Sequence, residues 1–162
     1  MVVREVSQED EGLLSQDVLL EVLLFPSLVD PNPSSLVAEK SRFLATSKRN
    51  KIFAILAAEA GSDGESATVV AFVQCTFASS LAISGLGVCP AERRKGHATA
   101  LLSYVISQAV EKKISHASLY VSTTSAPAIS LYSKFGFATT DTIEGYYSNS
   151  TDAHKLELIL PT

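Results

Sequence analysis

The most restrictive feature of the sequence is a run of seven apolar residues at 52–58, Ile-Phe-Ala-Ile-Leu-Ala-Ala. A strand with one face in water alternates apolar and polar residues, so a continuous run predicts a strand covered on both faces of its sheet. A second β-rich run at residues 67–77 follows a turn rich in Gly and Ser, which predicts a hairpin. The chain is therefore expected to fold around a central sheet that carries further layers on both sides.

The remaining patterns extend this sheet and add helices. The clearest helix is predicted at residues 98–113, where Leu102, Ile106, Ala109 and Val110 share one face. The length of 162 residues suits one domain over residues 1–162, of mixed α+β class with helices on both faces of the sheet. The other predicted strands are at 2–6, 81–88, 117–122, 139–147 and 154–160, and the other predicted helices are at 7–25, 36–49 and 128–135.

Charge and cysteine content exclude several classes of protein. Thirteen basic residues against seventeen acidic ones give a net charge of -4, so we expect neither a nucleic-acid partner nor a membrane partner. The N-terminus shows no signal-peptide pattern, and no apolar run approaches the ~20 residues of a membrane span. Cys75 and Cys89 lie in apolar runs and are expected to be buried free thiols. Together these features predict a cytoplasmic protein.

A local anion site is predicted between residues 88 and 99, where a strand passes into the strong helix. Arg93, Arg94 and Lys95 precede Gly96, and the unpaired N–H groups of a helix N-terminus follow. This combination suits a pyrophosphate. It is neither a P-loop nor a dinucleotide fingerprint, because the required second glycine is absent. The alternative is an ordinary solvated basic helix start.

A second segment of interest covers residues 128–137. Gly136 is predicted to end a short helix in the left-handed conformation. Tyr132 lies in the middle of that helix, where the commoner alternative is a core tyrosine with a satisfied hydroxyl.

These two segments resemble the GCN5-related N-acetyltransferases (GNAT). The motifs stand in the family order, with Arg-x-x-Gly-x-Ala at 93–98 and Ala-x-x-x-Tyr-x-Lys-x-Gly-Phe at 128–137. The resemblance covers most of the chain. It implies a central mixed, mostly antiparallel sheet flanked by helices on both faces.

The resemblance also implies acetyl-CoA as co-substrate and direct transfer in a ternary complex. Backbone around residues 86–88 would bind the pantetheine arm and polarise the thioester carbonyl, and Tyr132 would act as general acid toward the thiolate. No His/Cys/Asp cluster has metal-ligand spacing, so no metal is expected. The implied acetyl-CoA-binding residues are Leu86, Gly87, Val88, Arg93, Arg94, Lys95, Gly96, His97, Ala98, Thr99 and Ser125.

The acceptor side resembles the protein N-terminal acetyltransferases. Tyr146-Tyr147, four residues, and then Asp-Ala at 152–153 are similar to the final hairpin of those enzymes. The resemblance implies that both tyrosines hold a peptide backbone and that Phe25 and Pro26 line the pocket for its first side chain. Two alternatives stay open: an acetyltransferase for a small amine such as a polyamine, and an acyl-CoA-binding sensor or subunit with little turnover.

Three positions depart from the family pattern. Residues 81–88 hold no Glu, His or Tyr, and Ala82 stands where many N-terminal acetyltransferases carry a tyrosine base. Tyr120 stands where one subfamily carries histidine, and it is the candidate to pass a proton through water. Ser125 replaces the usual Asn and can offer one hydrogen bond rather than an amide's pair. A weak base suits α-amines, because about a fifth of an α-amine is neutral at pH 7.4, against about 0.1% of a lysine amine.

Overall fold

The computed structural model describes residues 2–7, 43–58, 67–147 and 150–161. In chain order the strands are β1 (Val3–Val6), β2 (Asn50–Ala58), β3 (Ala67–Phe77), β4 (Leu81–Val88), β5 (His116–Ser122), β6 (Ala138–Ile143) and β7 (Ala153–Ile159). The helices are α1 (His97–Glu111) and α2 (Ala126–Lys134), and a 3-10 helix covers Pro90–Glu92. Within the described residues the seven strands form one sheet, in the order β1-β2-β3-β4-β5-β7-β6.

The sheet is antiparallel except at one position. Strands β1 to β4 pair antiparallel with their neighbours, and β5, β7 and β6 do the same. Only β4 and β5 run parallel among the described strands, and α1 makes the crossover that a parallel pair needs. The predicted mixed, mostly antiparallel sheet is confirmed.

The two faces of the sheet are both buried, as the apolar run at residues 52–58 predicted. Alternate residues of β2 point to opposite sides: Phe53 and Ile55 join the larger hydrophobic cluster, and Ile52 and Ala54 join the smaller one. Helices α1 and α2 pack against the larger cluster. Residues 43–46 are helical, and Phe43 and Leu44 pack against the smaller one. Helices therefore cover both faces of the sheet.

Helix α1 is rotated relative to the predicted face. Leu102 and Ala109 are fully buried as expected, but Leu101 and Val105 complete the buried stripe. The predicted Ile106 and Val110 are only partly buried at its margin. Because α1 carries apolar residues at adjacent positions, its sequence alone does not determine which of them turn toward the core. Packing against the sheet decides this.

Helix α1 also ends earlier than predicted, at Glu111. Lys113 takes a left-handed conformation at φ 57°, its N–H donates to the Val110 carbonyl at 2.9 Å, and the N–H of Ile114 donates to Ala109 at 2.9 Å. This is the Schellman geometry that normally uses glycine. The Ile114 side chain, which is only 6% exposed, anchors this helix end in the core.

Most of the first two predicted helices lies outside the described residues, and so do Phe25 and Pro26. The predicted final hairpin is confirmed, but β6 ends at Ile143 rather than Tyr147, because Gly145 turns the chain at φ 59°. In the described part of the chain, no helix is long and apolar enough to cross a membrane.

The two cysteines differ in environment. Cys75 is fully buried, and this burial raises the pKa of its thiol to about 12. Cys89 is only half-buried, so the expectation of two buried thiols is wrong for this residue. Its position at the end of β4, on the margin of the smaller cluster, leaves one side uncovered.

Truncation of the α1 core contact tests this packing. Leu102→Ala should lower the free energy of unfolding by about 2–5 kcal/mol, because it removes a fully buried side chain and leaves a cavity. Ser103→Ala, on the exposed side of the same helix, should change it by less than about 0.5 kcal/mol. Urea denaturation measures both, and equal values would contradict the assigned core face.

Candidate functional site

A crevice opens in the middle of the sheet where β4 and β5 separate. They pair only at Leu81–Ala117, Ala82–Ser118 and Ile83–Leu119. Beyond these pairs β4 continues beside β3, and β5 continues beside β7. The opening lies at the carboxyl ends of two adjacent parallel strands, where ligands bind in open α/β sheets.

A bulge in β4 coincides with the opening. Gly85 pairs with Gln74 and Ile83 pairs with Cys75, so Ser84 is an extra residue that faces no partner in β3. An extra residue bends a strand away from its neighbours. In the described sheet, residues 84–88 therefore present their second backbone edge to the crevice rather than to β5.

The loop after β4 leads directly to the start of α1. The Ala100 N–H donates the first helical hydrogen bond, to the Gly96 carbonyl at 2.9 Å. In this described loop, the N–H groups of His97, Ala98 and Thr99 donate to no backbone carbonyl, since they precede that bond. Unpaired N–H groups and the positive end of the helix dipole together attract an anion.

Gly96 is required by its backbone conformation. Its φ is +86°, a value that other residues rarely adopt, whereas a Cβ placed there would meet nothing within 4 Å. The position therefore combines a left-handed turn with open space beside it, which an anionic group could occupy.

The three predicted cations are not equally available. Lys95 Nζ lies 2.8 Å from Glu92 Oε1, and Arg93 Nε turns back toward the Val88 carbonyl at 3.5 Å. Arg94 is exposed at φ +66°. The three cations are therefore not equivalent, because Glu92 pairs with Lys95.

Glu92 is a site residue that the sequence reasoning missed. Its second oxygen lies 3.2 Å from His97 Nε2, and hydrogen bonds from Lys95 and His97 hold the pKa of its carboxyl below the usual value. His97 is only 10% exposed, and within the described structure its Nδ1 is buried without a hydrogen-bond partner. The signal in the sequence was the Glu three residues before a Lys, a spacing that favours pairing on one turn.

The loop after β5 places a second helix N-terminus at the same edge of the sheet. Ser125 precedes α2, and its carbonyl accepts hydrogen bonds from Ala128 and Ile129 at 3.0 Å each. The Ser125 hydroxyl makes no capping bond within α2. Because β4 and β5 are parallel, the starts of α1 and α2 lie on the same side of the crevice.

Tyr132 is held in place by the C-terminal end of α2. Gly136 has φ +90°, and the Phe137 N–H donates to the Tyr132 carbonyl at 3.1 Å, as in a Schellman motif. The Phe137 ring then packs edge-on against Tyr132, with centroids 5.8 Å apart. Burial and the neighbouring Tyr147 raise the pKa of the Tyr132 hydroxyl far above its usual range, so it stays protonated at neutral pH.

Three tyrosines from two elements form a row of rings. Tyr120 of β5 stacks on Tyr146 at 5.0 Å, and Tyr146 meets Tyr147 edge-on at 5.0 Å. Tyr147 in turn contributes to the raised pKa of Tyr132, and the pKa of Tyr147 itself is raised, first by burial and then by Tyr146. The structure therefore brings together the tyrosines at positions 120, 132, 146 and 147 that the sequence singled out.

The loop that carries two of these tyrosines is closed by hydrogen bonds. Asp152 Oδ1 accepts from the Gly145 N–H at 2.9 Å, and the Asp152 carbonyl accepts from the Thr123 N–H at 3.0 Å. The Tyr147 N–H donates to Thr151 at 3.1 Å. Asp152 thus ties the loop between β6 and β7 to the end of β5, which explains the Asp in the motif.

The other histidines serve local contacts. His154 Nδ1 lies 2.9 Å from the Thr142 hydroxyl, and His116 Nδ1 lies 2.8 Å from that of Ser115. Among residues 2–7, 43–58, 67–147 and 150–161, no group of three metal-binding side chains is clustered.

Comparison with known proteins identifies relatives of this arrangement. The sequence model of the acetyltransferase (GNAT) family matches residues 19–137. A search of curated proteins finds no match.

Several solved structures have the same fold. NAA60 of Arabidopsis thaliana, in complex with a bisubstrate analogue, has a TM-score of 0.78 at 19% identity, with 99% of each chain covered. The NatC complex bound to Gag peptide and CoA has a TM-score of 0.77 at 20% identity, covering 99% of this chain and 98% of that one. A ribosomal-protein alanine N-acetyltransferase from Escherichia coli has a TM-score of 0.73 at 18% identity, covering 99% and 94%.

The left-handed turn at residue 96 provides a test of the anion site. Gly96→Ala should weaken CoA binding about 5- to 30-fold, because a left-handed alanine costs about 1–2 kcal/mol and the loop relaxes away from its binding geometry. Isothermal titration calorimetry with CoA measures the effect.

Gly145→Ala is the matched control for this test. Its φ is +59° and the space around it is also open, but it lies in the loop between β6 and β7. It should lose similar thermal stability and keep its CoA affinity. Equal CoA affinities for both variants and the wild type would contradict an anion site at Gly96.

Proposed function

The chain belongs to the acetyltransferase (GNAT) family and is an N-acetyltransferase, and on that premise we propose that it acetylates the α-amine of a peptide or protein N-terminus with acetyl-CoA. The observation that carries the acceptor assignment is the closed loop between β6 and β7. This loop carries Tyr146 and Tyr147, whose rings meet edge-on, and Tyr147 contributes to the raised pKa of the buried Tyr132.

The residues of the crevice fit acetyl-CoA, which supplies an activated acetyl thioester. The open backbone edge of residues 84–88 can pair with the amides of the pantetheine arm, as an added strand pairs with a sheet edge. The N–H groups of residues 97–99 and the exposed Arg94 suit the pyrophosphate. Ser125, whose hydroxyl makes no capping bond, offers one further donor.

Tyr132 would assist departure of the thiolate. The raised pKa of Tyr132 keeps its hydroxyl protonated. This pKa is also higher than the pKa of ~8.5 that is usual for a cysteine thiol. The hydroxyl therefore stabilises a thiolate by donating a hydrogen bond, rather than by losing its proton before the C–S bond breaks. A backbone N–H on the open edge of β4 would stabilise the oxyanion at the acetyl carbonyl.

The acceptor must arrive as a neutral amine. Its nitrogen lone pair attacks the acetyl carbonyl carbon, the C–N bond forms, the C–S bond breaks, and the sulfur keeps the electron pair while water takes the surplus amine proton. Strand β4 carries no titratable side chain that could act as base. This favours an α-amine, about a fifth of which is already neutral at pH 7.4, over a lysine, of which about 0.1% is neutral.

A hydroxyl deletion tests the role of Tyr132. Tyr132→Phe should lower kcat by about 100-fold, with an acetyl-CoA affinity close to that of the wild type, because the donor acts on the leaving group. Tyr104→Phe removes a hydroxyl from α1, where the ring packs edge-on against Phe53, and should leave kcat unchanged. An unaltered kcat in Tyr132→Phe would overturn the assignment.

The acceptor class is tested with a panel of amines. Transfer from acetyl-CoA is measured to peptides that differ in their first residue, to the same peptides with a blocked N-terminus and an internal lysine, and to spermidine. Turnover on free N-termini alone is expected. Turnover on spermidine or lysine alone would overturn the acceptor while leaving the enzyme class intact. CoA binding without turnover on any amine would favour a sensor or a subunit.

A further inference from the structure

Two tyrosine rings that are otherwise open to solvent cover each other. Tyr120 on β5 is 42% exposed and Tyr146 is 46% exposed, and their rings stack with centroids 5.0 Å apart and planes 14° apart. The contact joins the Tyr120 side chain of β5 to the loop between β6 and β7, in addition to the hydrogen bond by which Asp152 ties that loop to Thr123.

The two partners differ in how firmly their backbones are held. Tyr120 stands opposite Lys155 in the β5–β7 ladder, within a strand whose pairing with β7 is complete from His116 to Ser122. Tyr146 lies between two loop-closing bonds, which are made by Gly145 and Tyr147. Among the described residues, the backbone of Tyr146 itself makes no such bond. Stacking on Tyr120 therefore ties the Tyr146 side chain directly to β5.

The stack continues to a third ring. Tyr146 meets Tyr147 edge-on with planes 86° apart, and Tyr147 contributes to the raised pKa of the buried Tyr132. Tyr120 is thus the outer end of a row of three rings whose inner end is Tyr147. Displacement of Tyr146 would therefore disturb Tyr147 as well.

We propose that Tyr120 is a positioning residue, whose ring rather than its hydroxyl sets the place of Tyr146 and so of the acceptor-binding loop. The proposal rests on the proposed function only in that the acceptor amine is taken to bind against this loop. It differs from the expectation that Tyr120 passes a proton through water. A proton carrier needs its hydroxyl, whereas a positioning ring needs only its aromatic face.

Two substitutions at this position separate the roles. Tyr120→Phe keeps the ring and removes the hydroxyl, so KM and kcat for the acceptor should match the wild type. Tyr120→Ala removes the ring, and it should raise the acceptor KM about two- to tenfold, the range expected for loss of one aromatic pair. The KM for acetyl-CoA should stay unchanged in both variants, because the anion loop lies elsewhere.

The measurements use the acceptor with the highest turnover in the amine panel. If that acceptor is a small amine, the proposed function is overturned, but the role of Tyr120 can still be tested. Lys155→Ala is the matched control, because it truncates the cross-strand partner of Tyr120 and leaves the stack in place. Thermal denaturation checks that each variant is folded.

NMR spectroscopy detects the stacking of Tyr120 on Tyr146 without any measurement of enzyme turnover. In ¹H–¹³C spectra of protein labelled at tyrosine, Tyr120→Ala should shift the ring resonances of Tyr146, while Tyr120→Phe should largely preserve them. A rate loss in Tyr120→Phe as large as that in Tyr120→Ala would restore the proton-transfer role. An acceptor KM in Tyr120→Ala equal to that of the wild type would equally overturn the proposal.

Discussion

The site depends on a loss of hydrogen bonding inside the sheet. Strands β4 and β5 share three residue pairs and then diverge, where the extra residue Ser84 bends β4. Buried backbone groups are nearly always paired, so a strand edge opened in the middle of a sheet is costly unless water or a ligand satisfies it. Because the two strands are parallel, their divergence also brings two helix N-termini to one crevice. The position at which the β4–β5 hydrogen-bond ladder ends therefore determines which groups are available to bind a ligand.

The two sides of the crevice are organised by different forces. On the β4 side the groups offered to a ligand are backbone N–H donors and cations, and Glu92 reduces the positive charge there by pairing with Lys95. On the β5 side the contacts are between rings, and hydrogen bonds of Asp152 close the loop that carries two of them. An anionic donor and a neutral amine can thus be bound by separate parts of one opening.

Much of this could be predicted from local sequence. The apolar run at residues 52–58 predicted a strand covered on both faces, and the Arg-x-x-Gly-x-Ala motif marked the loop that leads into α1. These signals are local because each depends on the backbone conformation of a few residues or on the spacing of apolar residues along the sequence. The stacking of Tyr120 on Tyr146 and the pairing of Glu92 with His97 could not be predicted in this way. They depend on how loops approach each other once the sheet has formed, as does the rotation of α1 toward Leu101 and Val105.

The strand order has a consequence for how the molecule behaves among its own copies. Within the described sheet the outer strands are β1, four residues long with Arg4 and Glu5 exposed, and β6, whose residues 138–142 are all exposed and include three threonines and Asp141. Short or polar border strands are poor templates for edge-to-edge growth into aggregates. The longer and more apolar strands, β2 and β3, are enclosed between neighbours. The sheet can therefore keep one edge open internally for binding while its borders resist polymerisation.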